Sequence, residues 1–262
     1  KKKLKKPIHL VFSYDEEIGC IGIQKLKPFL KKINPKPKYC IVGEPTEMQL
    51  VNQHKGKKNY IVTFSGIESH SSLIEDGVNA INYCSEFVNF LKSTQNDLKK
   101  QFTNKEFNPS YPTISIGKIY GGIAINIIPK KCAIEFEIRD TPDSDIDFIE
   151  KKIYSYINKL QKSMKKKNHN CFIKIKRTNN FPALQTNPNG KIISHCLNSL
   201  ESNSLGSVSF GTEAGVFDKL GFETVVCGPG SIKQAHKPNE FVETNQLKLC
   251  DAFIKELLKK VC

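Results

Sequence analysis

Ile8-His9-Leu10-Val11-Phe12-Ser13-Tyr14-Asp15-Glu16-Glu17-Ile18-Gly19 runs an apolar segment straight into three consecutive carboxylates and a glycine. An apolar run closed by a turn reads as a buried strand, here Pro7 to Ser13. Polar residues gathered just past a strand end mark the edge of an open α/β sheet where ligands collect. Three adjacent carboxylates repel one another, so a cation or a mobile proton relieves them in a packed site; the other reading is a solvated acidic turn.

Working outward, Ile21 to Leu30 has the spacing of a short helix that stops near Asn34-Pro35. Tyr39 to Val42 reads as a second buried strand ending in Gly43-Glu44-Pro45-Thr46. From Lys57 the pattern changes. Asn59 to Ser65 alternates as a half-buried strand, and a helix follows with Val78, Ile81, Cys84, Val88 and Leu91 on one stripe. Thr113 to Tyr120 and Cys132 to Ile138 are strands. Ile146, Ile149, Ile153, Ile157 and Leu160 mark a second helix, Lys162 to Asn170 a surface loop, and Phe172 to Lys176 a last strand. The order βαββαβ predicts a four-stranded sheet with two helices on one face. Residues 57–180 are therefore expected as a domain inserted between 1–56 and 181–262. The α/β pattern then resumes with a helix from about Asn189 to Ser199, strands near Val208 and over Thr224 to Cys227, and a helix capped by Thr244 with Leu247, Phe253, Leu257 and Val261 inward.

Composition narrows the function classes. The net charge of +14 suggests a polyanion partner, but of 40 basic residues only Arg139 and Arg177 are arginine, whereas base and phosphate readers lean on the arginine fork. No specific nucleic-acid binding is expected. The nine cysteines never take C-x-x-C spacing, so neither a disulfide framework nor a zinc ribbon is suggested, and a reducing, cytoplasmic setting fits. No apolar stretch has the length of a membrane span. The chain starts on lysines without a methionine, as a record beginning partway through a longer protein would.

Several side chains suit chemistry at the strand ends. Glu16 and Glu17 point in different directions, so one can hold a metal while the other moves a proton. Glu44 is a third candidate, or a turn carboxylate. His236 lies in a loop stiffened by Gly228-Pro229-Gly230, and imidazole with carboxylate suits zinc or a similar ion; a solvated loop histidine is the alternative. His70, among small hydroxyl residues, is a held imidazole or an exposed one. His54 is hinge, substrate contact or neither. Arg139 either grips a carboxylate or pairs with Asp140 or Asp143. Asn126 is a satisfied turn residue or a substrate donor.

Together these stretches resemble the acetylornithine deacetylases, within the wider aminoacylase, carboxypeptidase and desuccinylase family of metallohydrolases. The matching pieces, in order, are Ser13 to Cys20, Val42 to Thr46, His54-Lys55-Gly56, His70-Ser71-Ser72, Gly77 to Ile81, Tyr111-Pro112-Thr113, Gly211-Thr212-Glu213-Ala214 and Gly228 to His236. The resemblance implies an open α/β catalytic domain that binds two divalent ions, zinc or cobalt. It also implies an inserted ferredoxin-like lid through which two subunits form a homodimer. Glu16 resembles the general base, and Glu17, Glu44 and His236 resemble metal ligands. His70 resembles a lid histidine that steadies the oxyanion in a partner subunit's site, while Asn126 and Arg139 resemble residues near the substrate carboxylate. Thr212, Glu213, Gly228 and Ser231 would line the pocket.

The implied activity is removal of the acetyl group from N2-acetylornithine, an N-acyl amino acid, in arginine biosynthesis. Succinyl-diaminopimelate desuccinylase is the sister alternative, and a noncatalytic protein that dimerises through its lid is the alternative of another class. Two departures stand out. The family's His-x-Asp ligand motif and bridging aspartate precede the Asp-Glu-Glu strand, and no His-x-Asp occurs in this chain, so a fragment with this site alone is expected to bind two metals poorly and to hydrolyse little. Ser69 stands where related enzymes often have glycine.

Overall fold

The computed structural model describes residues 4–260, which form two compact units. One comprises the chain up to Gly56 and from Phe181 onward, the other Lys57–Asn180.

In the first unit, α1 (Ile21–Leu30) leads to β1 (Tyr39–Val42) and β2 (Leu50–His54). After the second unit, β7 (Leu184–Gln185), α4 (Lys191–Leu200), β8 (Leu205–Val208), α5 (Ala214–Lys219), β9 (Glu223–Val226) and α6 (Thr244–Lys259) complete it. The sheet order is β1-β9-β2-β7, with β8 also on β2. β1 runs parallel to β9, pairing Tyr39 with Glu223 through Val42 with Val226, so the loops after both strands leave the sheet at one end. Leu50, Val225, Ile192, Ile193, Cys196 and Phe253 pack one face, and Cys20, Ile23, Val216 and Phe222 make a second cluster.

In the second unit, β3 (Lys57–Ser65), α2 (Ala80–Gln101), β4 (Thr113–Gly121), β5 (Lys131–Arg139), α3 (Ile146–Lys167) and β6 (Phe172–Phe181) follow the expected βαββαβ order. The sheet order β4-β5-β3-β6 is that of a ferredoxin-like fold. β3 and β5 are antiparallel from Lys58 opposite Ile138 to Ser65 opposite Lys131. Alternation places Tyr60, Val62 and Phe64 with Ile134, Phe136 and Ile138 under the helices, whose Phe87, Leu91, Ile149, Ile153 and Met164 close the core.

Several expectations need correction. Pro7 to Ser13 forms no strand: among the described residues no ladder partner lies alongside it, and Leu10 and Phe12 are 78% and 86% exposed. β1 is an edge strand and only partly buried. β2 escapes the periodicity because Asn52 and Gln53 interrupt it; Asn52 is nevertheless buried, donating its Nδ2 to Thr186 O at 2.8 Å. The stripe of α2 is rotated. Tyr83, Cys84, Phe87, Leu91 and Leu98 are its buried positions, Val78 precedes the helix and Ile81 is exposed. α3 continues through Lys162–Lys167, since lysine is a good helix former and Met164 still reaches the core. β6 extends to Phe181. The cap of α6 is Glu243 rather than Thr244, Leu247 is exposed, and Val261 lies outside the described residues.

His54 closes β2 as a wholly buried imidazole. Gly215 N–H donates to its Nε2 at 3.1 Å, so the proton resides on Nδ1, which donates to Lys55 O at 2.9 Å. Burial, outweighing the Lys55 hydrogen bond, lowers its pKa to about 4. The unfolded chain takes up this proton near pH 6.5 and the folded chain only near 4, so the contribution is full above 6.5 and disappears as pH falls through 4. At about 1.4 kcal/mol per pH unit this is a loss of ~3 kcal/mol. Denaturant titrations between pH 7 and 4 should show that slope, and H54Q should flatten it. An unaltered slope in H54Q would remove His54 as its source.

Candidate functional site

The carboxylates of the opening stretch sit in a tight turn just ahead of α1. Gly19 and Cys20 N–H both donate to Glu16 O at 2.8 Å, Gly22 N–H donates to Tyr14 O at 3.1 Å, and Asp15, Gly19 and Cys20 all have positive φ. A Cβ at Gly22 would lie 2.1 Å from Tyr14 O, so only glycine lets the turn fold back on the helix. The buried Cys20 Sγ lies 3.5 Å from Glu16 Oε1, and its thiol pKa is pushed well up by burial and then by the Glu16 charge.

Glu44, just past the end of β1, feels the charges of Glu16 and Glu17 in this turn. The loop from Gly43 to Met48 is zipped to the loop after β9: Thr46 and Met48 N–H donate to Gly228 O at 3.2 and 3.0 Å, and Glu47 N–H to Gly230 O at 2.7 Å. Thr46 also bridges Ser231. Gly228 packs so closely that a Cβ would come 2.6 Å from Glu44 O, and Gly230 takes a positive φ. Two segments some 180 residues apart are thereby joined beside Glu44.

The electrostatics follow from that crowding. Burial pushes the Glu44 carboxyl up to about 7, and the charges of Glu16, Glu213 and Glu17 add to it. Glu213, buried at the start of α5, is raised by burial and by Glu16 against the hydrogen bond it accepts from Ser13 Oγ at 2.7 Å. Its other oxygen, Oε1, is buried with no hydrogen-bond partner among the described residues. Thr212 is fully buried and its Oγ1 accepts from Ala214 N–H at 3.0 Å. His236 Nε2 lies 3.3 Å from Glu17 Oε2, both side chains largely exposed. His236 takes a positive φ, and its N–H donates to Glu240 Oε2 at 3.1 Å.

The first unit thus gathers Glu16, Glu17, Glu44, Glu213 and His236 around the ends of β1 and β9. In donor chemistry the set suits a hard or borderline divalent ion: carboxylates gathered near one another, Glu44 and Glu213 raised by burial and by their neighbours' charge, and an imidazole already beside Glu17. Among the described residues no three His, Cys, Asp or Glu side chains converge as a ready ligand group. Glu17 and His236 are therefore a pair in place, with Glu44 a neighbour by charge.

In the second unit, His70 and Asn126 lie on paired loops. Ser71 N–H donates to Asn126 O at 2.9 Å, Ile128 N–H to Ser69 O at 2.8 Å, and His70 bridges Ile127. His70 is exposed, its Nδ1 2.7 Å from Ser72 Oγ. Arg139 pairs with Glu137 through Nε at 2.8 Å, since alternate residues on β5 share a face. The roles of Ser13 and Cys20 as contacts of the acidic groups were missed in the sequence. The only signal was their position inside the matching segment.

Residues 52–165 match the family described as the peptidase dimerisation domain. An acetylornithine deacetylase of Buchnera aphidicola subsp. Acyrthosiphon pisum (strain Tuc7) is 34% identical over 261 residues, covering 100% of this chain and 66% of the relative. One of Aliivibrio salmonicida is 29% identical over 264 residues, with 67% of the relative covered. The chain thus spans about two thirds of the length of these relatives. Among solved structures, aminopeptidase PepT of Bacillus cereus superposes with a TM-score of 0.73 at 18% identity, over 95% of this chain and 63% of that one. Human carnosine dipeptidase 1 gives 0.64 at 15%, over 93% and 65%. No helix among the described residues is long and apolar enough to cross a membrane. Two units of this topology, the acidic and imidazole groups at the strand ends, and these likenesses along the whole chain lead to one assignment: the chain belongs to the M20 peptidase family.

Proposed function

We propose that the full-length protein is a metal-dependent N-acyl amino acid hydrolase that removes the acetyl group from N2-acetylornithine, giving ornithine and acetate. The observation that carries the reading is the placement of Glu17 beside His236 at 3.3 Å, next to a Glu44 whose pKa is raised by burial and then by the charges of Glu16, Glu213 and Glu17. Relatives carrying the deacetylase name at up to 34% identity supply the substrate. Glu17, Glu44 and His236 would hold divalent zinc or cobalt, whose chemistry is polarisation of the amide carbonyl and acidification of water.

The remaining work falls to this chain's own groups. Glu16, held in its turn, takes the proton of the attacking water and returns it to the leaving amine. His70 donates to the developing oxyanion of a substrate held by the partner subunit, the second unit serving as lid and dimerisation domain. Asn126 and Arg139 bind the substrate carboxylate, for which an arginine fork has the matching geometry. Thr212, Glu213, Gly228 and Ser231 shape the pocket, with a carboxylate available to the cationic side chain of ornithine. A homodimer and a reducing, cytoplasmic setting complete the reading.

The test is a direct comparison of substrates. The full-length protein loaded with zinc or cobalt should release acetate from N2-acetylornithine at least about tenfold more efficiently than it releases succinate from succinyl-diaminopimelate, a margin of ~1.4 kcal/mol. The reverse ranking would make it the sister hydrolase. Failure to cleave either would favour a noncatalytic, lid-dimerising protein.

A further inference from the structure

His54 belongs to a motif that the proposed hydrolysis does not use, yet both of its ring nitrogens are committed. Nδ1–H donates to Lys55 O at 2.9 Å, and Nε2 accepts from Gly215 N–H at 3.1 Å, with the ring wholly inaccessible. A ring held at both ends transmits its position to whatever it holds. What it holds is the turn Gly211–Gly215, which carries Thr212 and Glu213.

That turn is packed without slack. A Cβ at Gly211 would lie 2.0 Å from the Phe181 ring and 3.0 Å from Lys55 O, and one at Gly215 would lie 2.1 Å from Pro182 O. Within the turn, Thr212 Oγ1 accepts from Ala214 N–H at 3.0 Å. His54 supplies a side-chain anchor from the sheet, reaching 161 residues along the chain. Two residues before that anchor, Glu213 keeps one oxygen on Ser13, and the other is buried with no hydrogen-bond partner among the described residues. A carboxylate with an unsatisfied oxygen stays aimed only if its backbone is held, because a shift of about 1 Å is enough to lose a directed hydrogen bond.

We infer that His54 is a positioning residue: through Gly215 it fixes the Thr212–Glu213 turn, and so aims the Glu213 carboxylate at the ligand. This rests on the reading that Thr212 and Glu213 line the substrate pocket. The arrangement calls for a neutral acceptor at the reach of Nε2 with a donor behind it. Glutamine provides an acceptor at similar reach, and leucine fills similar volume with none.

The experiment compares H54L and H54Q in the full-length, metal-loaded protein. Two quantities are read: amide exchange at Gly215, and KM against kcat for N2-acetylornithine. H54L should speed exchange at Gly215 at least about tenfold and raise KM about tenfold with kcat within about threefold, the scale of one lost hydrogen bond. H54Q should restore both to within about twofold. Faster exchange with an unchanged KM would overturn the positioning role while leaving the hydrogen bond in place. Equal damage in H54L and H54Q would overturn it as well, assigning His54 to packing alone. If H54L does not fold, His54→Asn, whose amide is too short to reach Gly215, takes its place with the same expected result. A wild-type protein that folds and cleaves no N-acyl amino acid would overturn the proposed function and this role with it, a result distinct from a working enzyme indifferent to H54L.

Discussion

Glu16→Gln in the full-length, metal-loaded protein should lower turnover of N2-acetylornithine about a thousandfold and leave bound zinc or cobalt unchanged. General acid and base catalysis by one positioned side chain is worth about 10² to 10⁴ in rate, and glutamine keeps the shape of glutamate while losing its capacity to carry a proton. The structure makes the substitution a clean one. The turn that holds Glu16 is closed by its backbone carbonyl, which accepts from Gly19 and Cys20 N–H, and its carboxylate accepts from the Cys20 thiol at 3.5 Å, a contact that the amide oxygen of glutamine can also accept. Elemental analysis beside steady-state kinetics separates the two roles in the cluster. Glu17→Gln should instead lower metal content, since Glu17 stands 3.3 Å from His236. Turnover within threefold of wild type in Glu16→Gln would end the assignment of Glu16 as the base.

The largest expected stability effect lies in the second unit, at Glu150 on α3. Its Oε2 accepts from Lys58 Nζ and its Oε1 from Tyr60 OH, each at 2.5 Å, with Arg177 Nη1 at 3.3 Å. The Lys58 and Glu150 side chains are only 9% and 12% exposed. Removing Glu150 leaves the largely buried Lys58 only the exposed Asp147 at 3.9 Å, so Glu150→Ala should cost roughly 3–5 kcal/mol. Thermal unfolding would register this as a fall in Tm of about 10 °C for a chain of this size. The exposed Lys255–Asp251 pair on α6 is the control, since breaking it should cost under about 0.5 kcal/mol. A Glu150→Ala protein within 1 kcal/mol of wild type would show that the network is solvated after all.

The same carboxylate predicts an acid limb. Burial alone would raise the Glu150 pKa, but the Lys58 and Tyr60 hydrogen bonds and the Lys58 and Arg177 charges outweigh it and hold the carboxyl below its ordinary 4.5. The folded chain then binds fewer protons than the unfolded one in the interval between the two values. Its contribution is complete above pH 4.5 and is lost as pH falls through the folded value. Glu150→Ala should therefore flatten the stability profile below pH 4.5.

The α/β class and the βαββαβ unit were legible because they rest on local periodicity. Tyr60, Val62 and Phe64 alternate, and Ile149, Ile153, Ile157 and Leu160 recur along one helix face, whatever surrounds them. Where a segment's fate depended on a neighbour, the sequence misled. Pro7 to Ser13 has the composition of a strand, but a strand exists only with a ladder partner, and this segment has none among the described residues. β2 was missed for the converse reason. Its polar Asn52 and Gln53 break the apolar pattern, yet β7, β8 and β9 all pair with it and Thr186 satisfies Asn52. Arg139 meets Glu137, two residues earlier on the same face of β5, a contact that the pleat sets.

The candidate site divides in the same way. The residue types and their order, Glu16 and Glu17 ahead of a glycine, Glu44 after a strand and His236 in a glycine- and proline-stiffened loop, are properties of the chain itself. They were sufficient to point to the family. The tertiary structure decided which of these groups meet: Glu17 beside His236, Gly228 against Glu44, Ser13 on Glu213 and His54 on Gly215. Each contact joins residues more than 150 positions apart. Hydrophobic spacing encodes which face a residue presents, but a hydrogen bond between distant segments exists only after the sheet has set their register, and that is why the site's geometry had to come from the fold.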